Sequence, residues 1–223
     1  MKVNYDSAGQ LILVQTAHST DSIAAPQTIE QLSTQSIRKL TVQEQAHLKA
    51  AFYWLNVYQP EPDASNLEQV QGCLEAFHHL CEISAWQEAS SLLFTPTKSG
   101  NTQALHKQLK IWGYHLELIE LYSRLIGKLN LDLDCVCLQG LGMAYRYFGQ
   151  DEKARLYHEQ QLEIASRIGN RLAEAQAFSG LGSTYFALEQ RQTSFKCFEQ
   201  QLAIAREIKD RNEEGYALGY LGA

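Results

Sequence analysis

The sequence repeats itself at a fixed interval toward its C-terminal end. Leu-Gly pairs stand at residues 141–142, 181–182 and 221–222. When residues 141–180 are laid over residues 181–220, 14 of the 40 positions are identical. A duplication of this length is the signature of a repeat architecture, in which each copy folds as one unit and buries its core against the next copy.

Each copy is predicted to form two antiparallel helices. Residues of one predicted helix face recur at steps of three and four, which is the helical period, first at Leu138, Leu141, Tyr145 and Phe148, and then at Ala154, Tyr157, Gln161, Ala165 and Ile168. Gly149 breaks the pattern between the two helices, and Gly169 suits a left-handed helix cap at the next corner. We expect Gly142, Gly182, Ala154 and Ser194 to let neighbouring helices approach closely, because larger side chains would overpack there.

These residues carry a family resemblance. One stretch of the repeat resembles the tetratricopeptide repeat. It reads Leu-Gly-x-x-Tyr-x-x-x-Gly-Gln-x-x-x-Ala at residues 141–154 and continues as Tyr-His-Glu-Gln-Gln-Leu-x-Ile-Ala at residues 157–165. The long period resembles the variety found in kinesin light chains, GoLoco-binding adaptors and many cyanobacterial proteins. The resemblance covers residues 135–223. It implies an all-α, right-handed solenoid of antiparallel helix pairs that binds a protein or peptide partner in the bacterial cytoplasm.

Weaker copies of the pattern precede the clear repeats. Two earlier segments resemble a repeat turn followed by a second helix. One is Trp112-Gly113 followed by Leu118, Leu121 and Tyr122, and the other is residues 85–93, which follow an apolar stripe over residues 70–81. Thr41-x-x-Glu44 is a capping box that opens a helix through about Tyr58, and residues 28–40 are interpreted as a further amphipathic helix. Residues 95–101 have the composition of a loop.

The chain is therefore expected to have three regions. Residues 1–22 form either a small β-hairpin around the turn Asp6-Ser7-Ala8-Gly9 or a disordered tail. Residues 28–130 hold degenerate helical repeats, and residues 131–223 hold two clear repeats and the first helix of a third. The missing second helix indicates either a longer parent protein or self-association through the open C-terminal repeat.

Composition excludes several classes of protein. The formal charge of −6 is spread over both halves, which argues against binding to a nucleic-acid backbone. The longest aliphatic run is Leu11–Val14, far below the roughly 20 residues of a membrane span, and no signal peptide is evident. The five cysteines are interpreted as reduced, buried thiols of a cytoplasmic protein.

No residue pattern predicts an enzyme, a cofactor or a metal site. The phosphate-loop, dinucleotide, nucleophile-elbow and zinc-protease motifs are absent from the sequence. His78 and His79 are adjacent and so face about 100° apart on a helix. His115, Glu117 and Glu120 are interpreted as a solvated face, and Asp132 and Asp134 as carboxylates that cap a helix N-terminus.

The functional surface is predicted from the architecture instead. In a stack of helix pairs the first helices line the concave groove, and there the side chains opposite the core stripe face the partner. The candidate groove residues are Val136, Gln139, Met143, Arg146, Tyr147, Gln176, Ser179, Ser183, Phe186 and Tyr216. This lining is neutral and mixed, and it lacks the Lys, Arg and Asn set of repeats that clamp a C-terminal carboxylate.

Three functional hypotheses follow. The first is a non-catalytic protein-binding scaffold or adaptor, which would assemble a multi-subunit complex. The second is a regulatory or sensor arm of a larger signalling or NTPase protein. The third is a ligand pocket or hydrolase in the irregular region, built from His78, His79, Trp86, Trp112 and His115, and the lack of a nucleophile motif weighs against it.

Overall fold

The computed structural model describes residues 4–5, 11–14, 37–96 and 103–222. The chain divides into two compact units, Met1–Leu105 and His106–Ala223. This boundary is set by the packing of the chain. The division expected between residues 130 and 131 is set by how closely each segment matches the repeat pattern, and it remains a prediction.

The first unit contains a small antiparallel sheet. Strand β1 (Asn4–Tyr5) pairs with β2 (Leu11–Val14), and β2 pairs with β3 (Ile37–Lys39). The predicted helix over residues 28–40 is wrong at its C-terminal end, because Ile37–Lys39 pairs with Ile12–Val14. A short apolar run does not distinguish a strand from a helix by its period alone. The rest of the predicted helix lies outside the described residues.

Three helices complete the described part of the first unit: α1 (Val42–Asn56), α2 (Asn66–Glu82) and α3 (Trp86–Phe94). The predicted capping box at Thr41 is confirmed, because its hydroxyl accepts from Glu44 N and the Glu44 carboxylate accepts from Thr41 N. Ser65 and Glu68 form a second capping box at the start of α2. Two orphan N–H groups are thereby satisfied at each helix N-terminus.

The second unit is a succession of antiparallel helix pairs. Its helices are α4 (Leu105–Trp112, which begins at the unit boundary), α5 (His115–Leu125), α6 (Leu131–Tyr147), α7 (Asp151–Ile168), α8 (Arg171–Ala187), α9 (Arg191–Ile208) and α10 (Arg211–Leu221). From α5 onward each helix packs on the next, and α6 also contacts α8. The predicted all-α arrangement of repeated helix pairs is confirmed.

The corners between these helices share one backbone conformation. Gly149 and Gly169 have φ angles of 67° and 70°, and the equivalent Glu189 and Lys209 have φ angles of 61° and 59°. The predicted left-handed cap at Gly169 is confirmed. The second repeat therefore makes the same turns without glycine.

Two details of the predicted repeat are wrong. Phe148 is 40% exposed, because it follows the last residue of α6, and the core position near that end belongs to Ala144. Asp132 and Asp134 lie inside the first turn of α6, and the N-cap is Asn130. Asp134 accepts instead from Gly127 N at 2.7 Å, and Asp132 accepts from the Asn170 amide at 2.8 Å.

Aromatic rings from the second helices pack directly on glycines of the first helices. The buried His158 ring of α7 lies between Gly142 of α6 and Gly180 of α8, where an added Cβ would stand 2.5 Å and 2.4 Å from ring atoms. Tyr122 occupies the equivalent place against Gly140, and Phe198 against Gly182. The prediction that Gly142 and Gly182 permit close approach is confirmed.

A buried glutamine accompanies each ring of the two clear repeats. Gln161 donates from its amide to Ala173 O, and Gln201 donates to Glu213 O, twelve residues ahead in both cases. Gln161 Oε1 lies 3.4 Å from His158 Nδ1. In the next repeat, Phe198 stands at the position of His158, and its ring has no N–H donor. Within the described residues, Gln201 Oε1 is buried without a hydrogen-bond partner.

We predict that Gly180→Ala destabilises the protein. The buried His158 ring has no space to move away from a new Cβ at 2.4 Å, and overpacking of this kind costs about 1–3 kcal/mol. Gly215→Ala in α10 is the matched control, because no atom lies within 4 Å of its Cβ position and the gain in helix propensity is about 1 kcal/mol. Urea unfolding would contradict the packing if both substitutions stabilised the protein.

We predict that His158→Phe removes an acid sensitivity of folding. Burial, opposed by the Gln161 hydrogen bond and aided by the Arg146 charge, lowers the pKa of His158 to about 4. Because the unfolded value is about 6.5, this contribution to stability is complete above pH 6.5 and is lost as the pH falls toward 4, by about 2 kcal/mol at pH 5. Urea unfolding at pH 7.5 and pH 5 should show this loss in the native chain and a loss smaller by that amount in His158→Phe. Equal losses would contradict the prediction.

Candidate functional site

The ten predicted groove residues lie on the first helices α6, α8 and α10 of the second unit, and together we call them the first-helix face. None of the ten is buried. Val136, Met143, Arg146, Tyr147, Phe186 and Tyr216 are exposed, while Gln139, Gln176, Ser179 and Ser183 are half-buried. The face is therefore accessible along its length in the unit.

Large apolar side chains dominate the exposed part of the first-helix face. Tyr147, Phe186 and Met143 are 65%, 54% and 41% exposed. Two surface depressions lie on it, one lined by Phe186 and Arg191 and the other by Tyr216 and Tyr220. Exposed apolar patches of this kind mark interaction surfaces when they are contiguous.

Two cationic side chains reach across the face in equivalent ways. Lys110 Nζ of α4 lies 3.7 Å from Met143 Sδ of α6, and Arg146 Nη1 of α6 lies 3.4 Å from Ser183 O of α8. Ser183 follows Met143 by one full repeat, and Arg146 follows Lys110 by a slightly shorter interval. Each cation thus links its own first helix to the next one.

Aromatic contacts flank the face at two places. The His115 ring packs on the Tyr147 ring with centroids 3.9 Å apart, and the Arg191 guanidinium lies 5.8 Å from the centre of the Phe186 ring. Burial, together with the positive charge of Lys110 and against the charge of Glu117, lowers the pKa of His115. His115 is therefore a packing partner of Tyr147 in the face.

The residues of the hydrolase hypothesis are placed in different surroundings. His78, His79 and Trp86 belong to the first unit, and Trp112 and His115 to the second. The His78 ring contacts Phe77 edge-on, and His79 Nδ1 lies 3.0 Å from His47 Nδ1. Within residues 37–96 and 103–222, no group of three or more His, Cys, Asp or Glu side chains converges as a metal site.

The cysteines have the character of packed thiols. All five are free, and four are buried. Burial, aided by the charges of Asp132 and Asp134, raises the pKa of Cys135 to about 11. Burial, aided by the charge of Asp134, raises the pKa of Cys137 to about 12, and burial alone raises that of Cys197 to about 11. These thiols are protonated at neutral pH, and thiolate chemistry is correspondingly suppressed.

The helix pairs α6–α7 and α8–α9 are similar to those of a known family. Residues 134–207, which run from the first turn of α6 to the last turn of α9, match the tetratricopeptide repeat family. This segment is similar to tetratricopeptide repeats. Tetratricopeptide repeats indicate a protein–protein interaction scaffold, while the long-repeat subtype remains a prediction. No curated protein matches the chain, and no helix among the described residues has the length and apolar character of a membrane span.

Sequence reasoning missed several residues around the tetratricopeptide repeats. Lys110 joins the first-helix face, and its spacing from Arg146, close to one repeat, was the signal that could have identified it. His158 was not among the predicted core residues, although Phe198 occupies its place in the next repeat. His47 was missed as the neighbour of His79 because the two are distant in sequence and meet only through tertiary packing.

We predict that Lys110→Met raises the pKa of His115. The substitution removes a positive charge that disfavours the imidazolium and leaves the burial of His115 in place. An NMR titration of the His115 ring protons measures the change. Lys107→Met, one turn earlier on α4, is the matched control and should leave the pKa of His115 where it is. Equal pKa values in the Lys110→Met variant and the native chain would contradict the placement of Lys110.

Proposed function

We propose that the second unit binds a segment of a partner protein along the first-helix face. The observation that carries this proposal is the row of exposed apolar side chains, led by Met143, Tyr147 and Phe186, on helices whose opposite sides form the core. Exposing such side chains has no benefit for folding, whereas a bound segment would remove their apolar surface from water.

The polar groups of the face suit an extended or helical peptide. Gln139, Gln176, Ser179 and Ser183 are half-buried, and their amides and hydroxyls can both donate to and accept from a peptide backbone. None of the ten face residues is an Asp or a Glu. These ten residues therefore combine apolar anchors with neutral hydrogen-bonding groups and the charge of Arg146, and Lys110 adds a second cation beside Met143.

The floor of the face is held in place by the repeats themselves. The Lys110 to Met143 and Arg146 to Ser183 contacts connect consecutive first helices. The ring of His158 fixes the spacing between Gly142 and Gly180. A surface that is already ordered loses less conformational entropy on binding, which favours affinity. We therefore propose a non-catalytic scaffold or adaptor role that needs no cofactor.

Self-association is the second candidate, because one apolar position on α10 is uncovered. Leu218 is 46% exposed, while Leu138, at the equivalent position of α6, is 2% exposed. The α10 surface also exposes Tyr216 and Tyr220. A second copy of the chain could cover this patch, and it would then compete with a partner for Tyr216.

We predict that Met143→Glu combined with Phe186→Glu abolishes partner capture and leaves the helices intact. Both side chains are exposed, so the effect on stability should stay within about 0.5 kcal/mol, while two carboxylates would be desolvated at the interface. Affinity capture from the native cell extract with the full chain as bait, followed by mass spectrometry, measures the loss, and circular dichroism checks helicity.

The matched control is Leu156→Glu combined with Phe195→Glu, which makes the same chemical change at exposed apolar residues of the second helices α7 and α9. A partner retained by this control and lost with the first pair supports the proposal. A partner that both variants retain contradicts it. Recovery of the bait chain alone, with a concentration-dependent sedimentation coefficient, replaces it by self-association.

A further inference from the structure

Two histidines of the first unit are joined end to end across a pair of helices. His47 lies on α1 and His79 on α2, and their Nδ1 atoms are 3.0 Å apart. The ring centroids are separated by 5.2 Å and the ring planes are inclined at 53°, so the rings meet at their nitrogen atoms and are not stacked. At this distance the Nδ1–H of one ring donates to the Nδ1 lone pair of the other. A hydrogen bond between the two side chains therefore ties α1 to α2.

The packing of α1 on α2 fixes the position of the pair. At Gly72 of α2 an added Cβ would lie 2.6 Å from Trp54 O of α1, so the two backbones nearly touch there. His47 precedes Trp54 by seven residues and His79 follows Gly72 by seven. Seven residues are about two helical turns, or about 10 Å along a helix axis. The histidines therefore hold the antiparallel helices together at a second level, two turns away from the close contact at Gly72.

The pair stands at the edge of the apolar seam between the helices. Leu48 and Leu80 directly follow the two histidines in the sequence, and both are buried. His47 and His79 themselves are only half-buried, so solvent reaches their rings. The hydrogen bond therefore lies where the pH of the solvent can act on it, next to apolar side chains that depend on the packing of the two helices.

The pair responds differently to its first and its second added proton. The first proton binds the unprotonated Nε2 of the donor ring, whose Nδ1–H still donates to the neutral partner, and such a charge-assisted hydrogen bond is stronger than a neutral one. The second proton binds the accepting Nδ1 itself. Both Nδ1 atoms then carry hydrogen, no acceptor is left between the rings, and two like charges face each other.

We propose that His47 and His79 form a latch that holds α1 on α2 while the pair carries no more than one positive charge, and that releases α1 when both rings are charged. Release would expose the buried seam between the two helices to water. Because two protons must bind before the contact breaks, the latch opens at a lower pH than the protonation of one ordinary histidine would require. It lies in the first unit and does not depend on the proposed partner surface.

The neighbours of His79 on α2 adjust the pH at which the latch opens. Burial, followed by the charge of His47, lowers the pKa of His79, while Glu75 opposes this shift, His78 adds to it and Glu82 opposes it. The folded value is thus below the unfolded value of about 6.5, so the contribution of the neutral ring to stability is complete above pH 6.5 and is lost as the pH falls below it.

The other ionisable groups close to the pair lie on α1 and α3. Glu44 is one turn before His47, and its carboxylate is bound in the capping box at Thr41. Lys49 is two residues after His47, which directs it to the opposite side of α1. α3 also packs on α2, and its one ionisable side chain, Glu88, is not among the groups that act on His79. Within the described residues, the response to acid at this contact therefore comes from the two histidines.

The test is hydrogen–deuterium exchange of the full chain at pH 7.5 and pH 5, read by mass spectrometry, with labelling times scaled to the intrinsic exchange rates. We expect the protection of the α1 amides to fall about tenfold or more at pH 5, because release of the latch populates the open helix pair. The double variant His47→Phe/His79→Phe keeps two rings without titrating nitrogens, and its protection should change less than about threefold. His78→Phe, at the neighbouring residue, is the control and should respond as the native chain does. Equal protection of native α1 at both pH values, or an equal fall in the double variant, overturns the proposal.

A second measurement uses the native chain alone and so does not depend on how the variants fold. In a nitrogen-15 NMR titration, the hydrogen bond should give a scalar coupling between the two Nδ1 nuclei at pH 7.5. Both rings should titrate in two steps, because coupled groups share their macroscopic steps. The scalar coupling should persist through the first step and vanish at the second. Its absence at pH 7.5, or its loss at the first step, overturns the proposal.

Discussion

The second unit depends on the contact between aromatic rings and glycine backbones. Tyr122, His158 and Phe198 each project from a second helix onto a first helix at a glycine, where no Cβ can be accommodated. His158 is pressed between two such glycines and so joins α6, α7 and α8 at one point. At each of these close helix crossings an aromatic ring lies where a small side chain is usual. The shape of the ring therefore sets the distance between successive first helices. The surface that those helices present on their opposite side inherits this spacing.

The choice of ring has a polar consequence within the core. A histidine offers Nδ1 to Gln161, whereas phenylalanine at the equivalent position offers nothing to Gln201. The second repeat therefore carries an unsatisfied buried oxygen, which ordinarily costs about 1–3 kcal/mol. Because Phe198 does not ionise, however, the second repeat has at this position no buried group whose protonation in acid would destabilise the fold. α10 shows a further variation, because Tyr220 occupies the position of Gly180 and stacks on Phe198 with centroids 4.3 Å apart.

Periodic features could be predicted from the sequence, and features set by tertiary partners could not. The internal duplication located the helix pairs, the glycine contacts and the corner at Gly169, because these follow from local spacing and backbone preference. The burial of His158 depends on glycines from two other helices, and the pairing of His47 with His79 depends on the register of α1 against α2. Ile37–Lys39 was misinterpreted since a strand partner far away in the sequence outweighed a short helical period. The first-helix face was proposed from architecture alone, and its accessibility is consistent with that proposal.

The corners of the two repeats differ in backbone strain, which is larger at the α10 end of the stack than at the α6 end. Gly149 and Gly169 adopt left-handed backbone angles freely, while Glu189 and Lys209 hold nearly the same angles with a side chain. Such residues cost about 1–2 kcal/mol each, so the α8 to α10 end stores strain that the α6 to α7 end does not. In a linear array in which each helix pair is stabilised by its neighbours, opening starts where the local free energy is smallest. We therefore expect the amide hydrogens of α9 and α10 to exchange before those of α6 and α7.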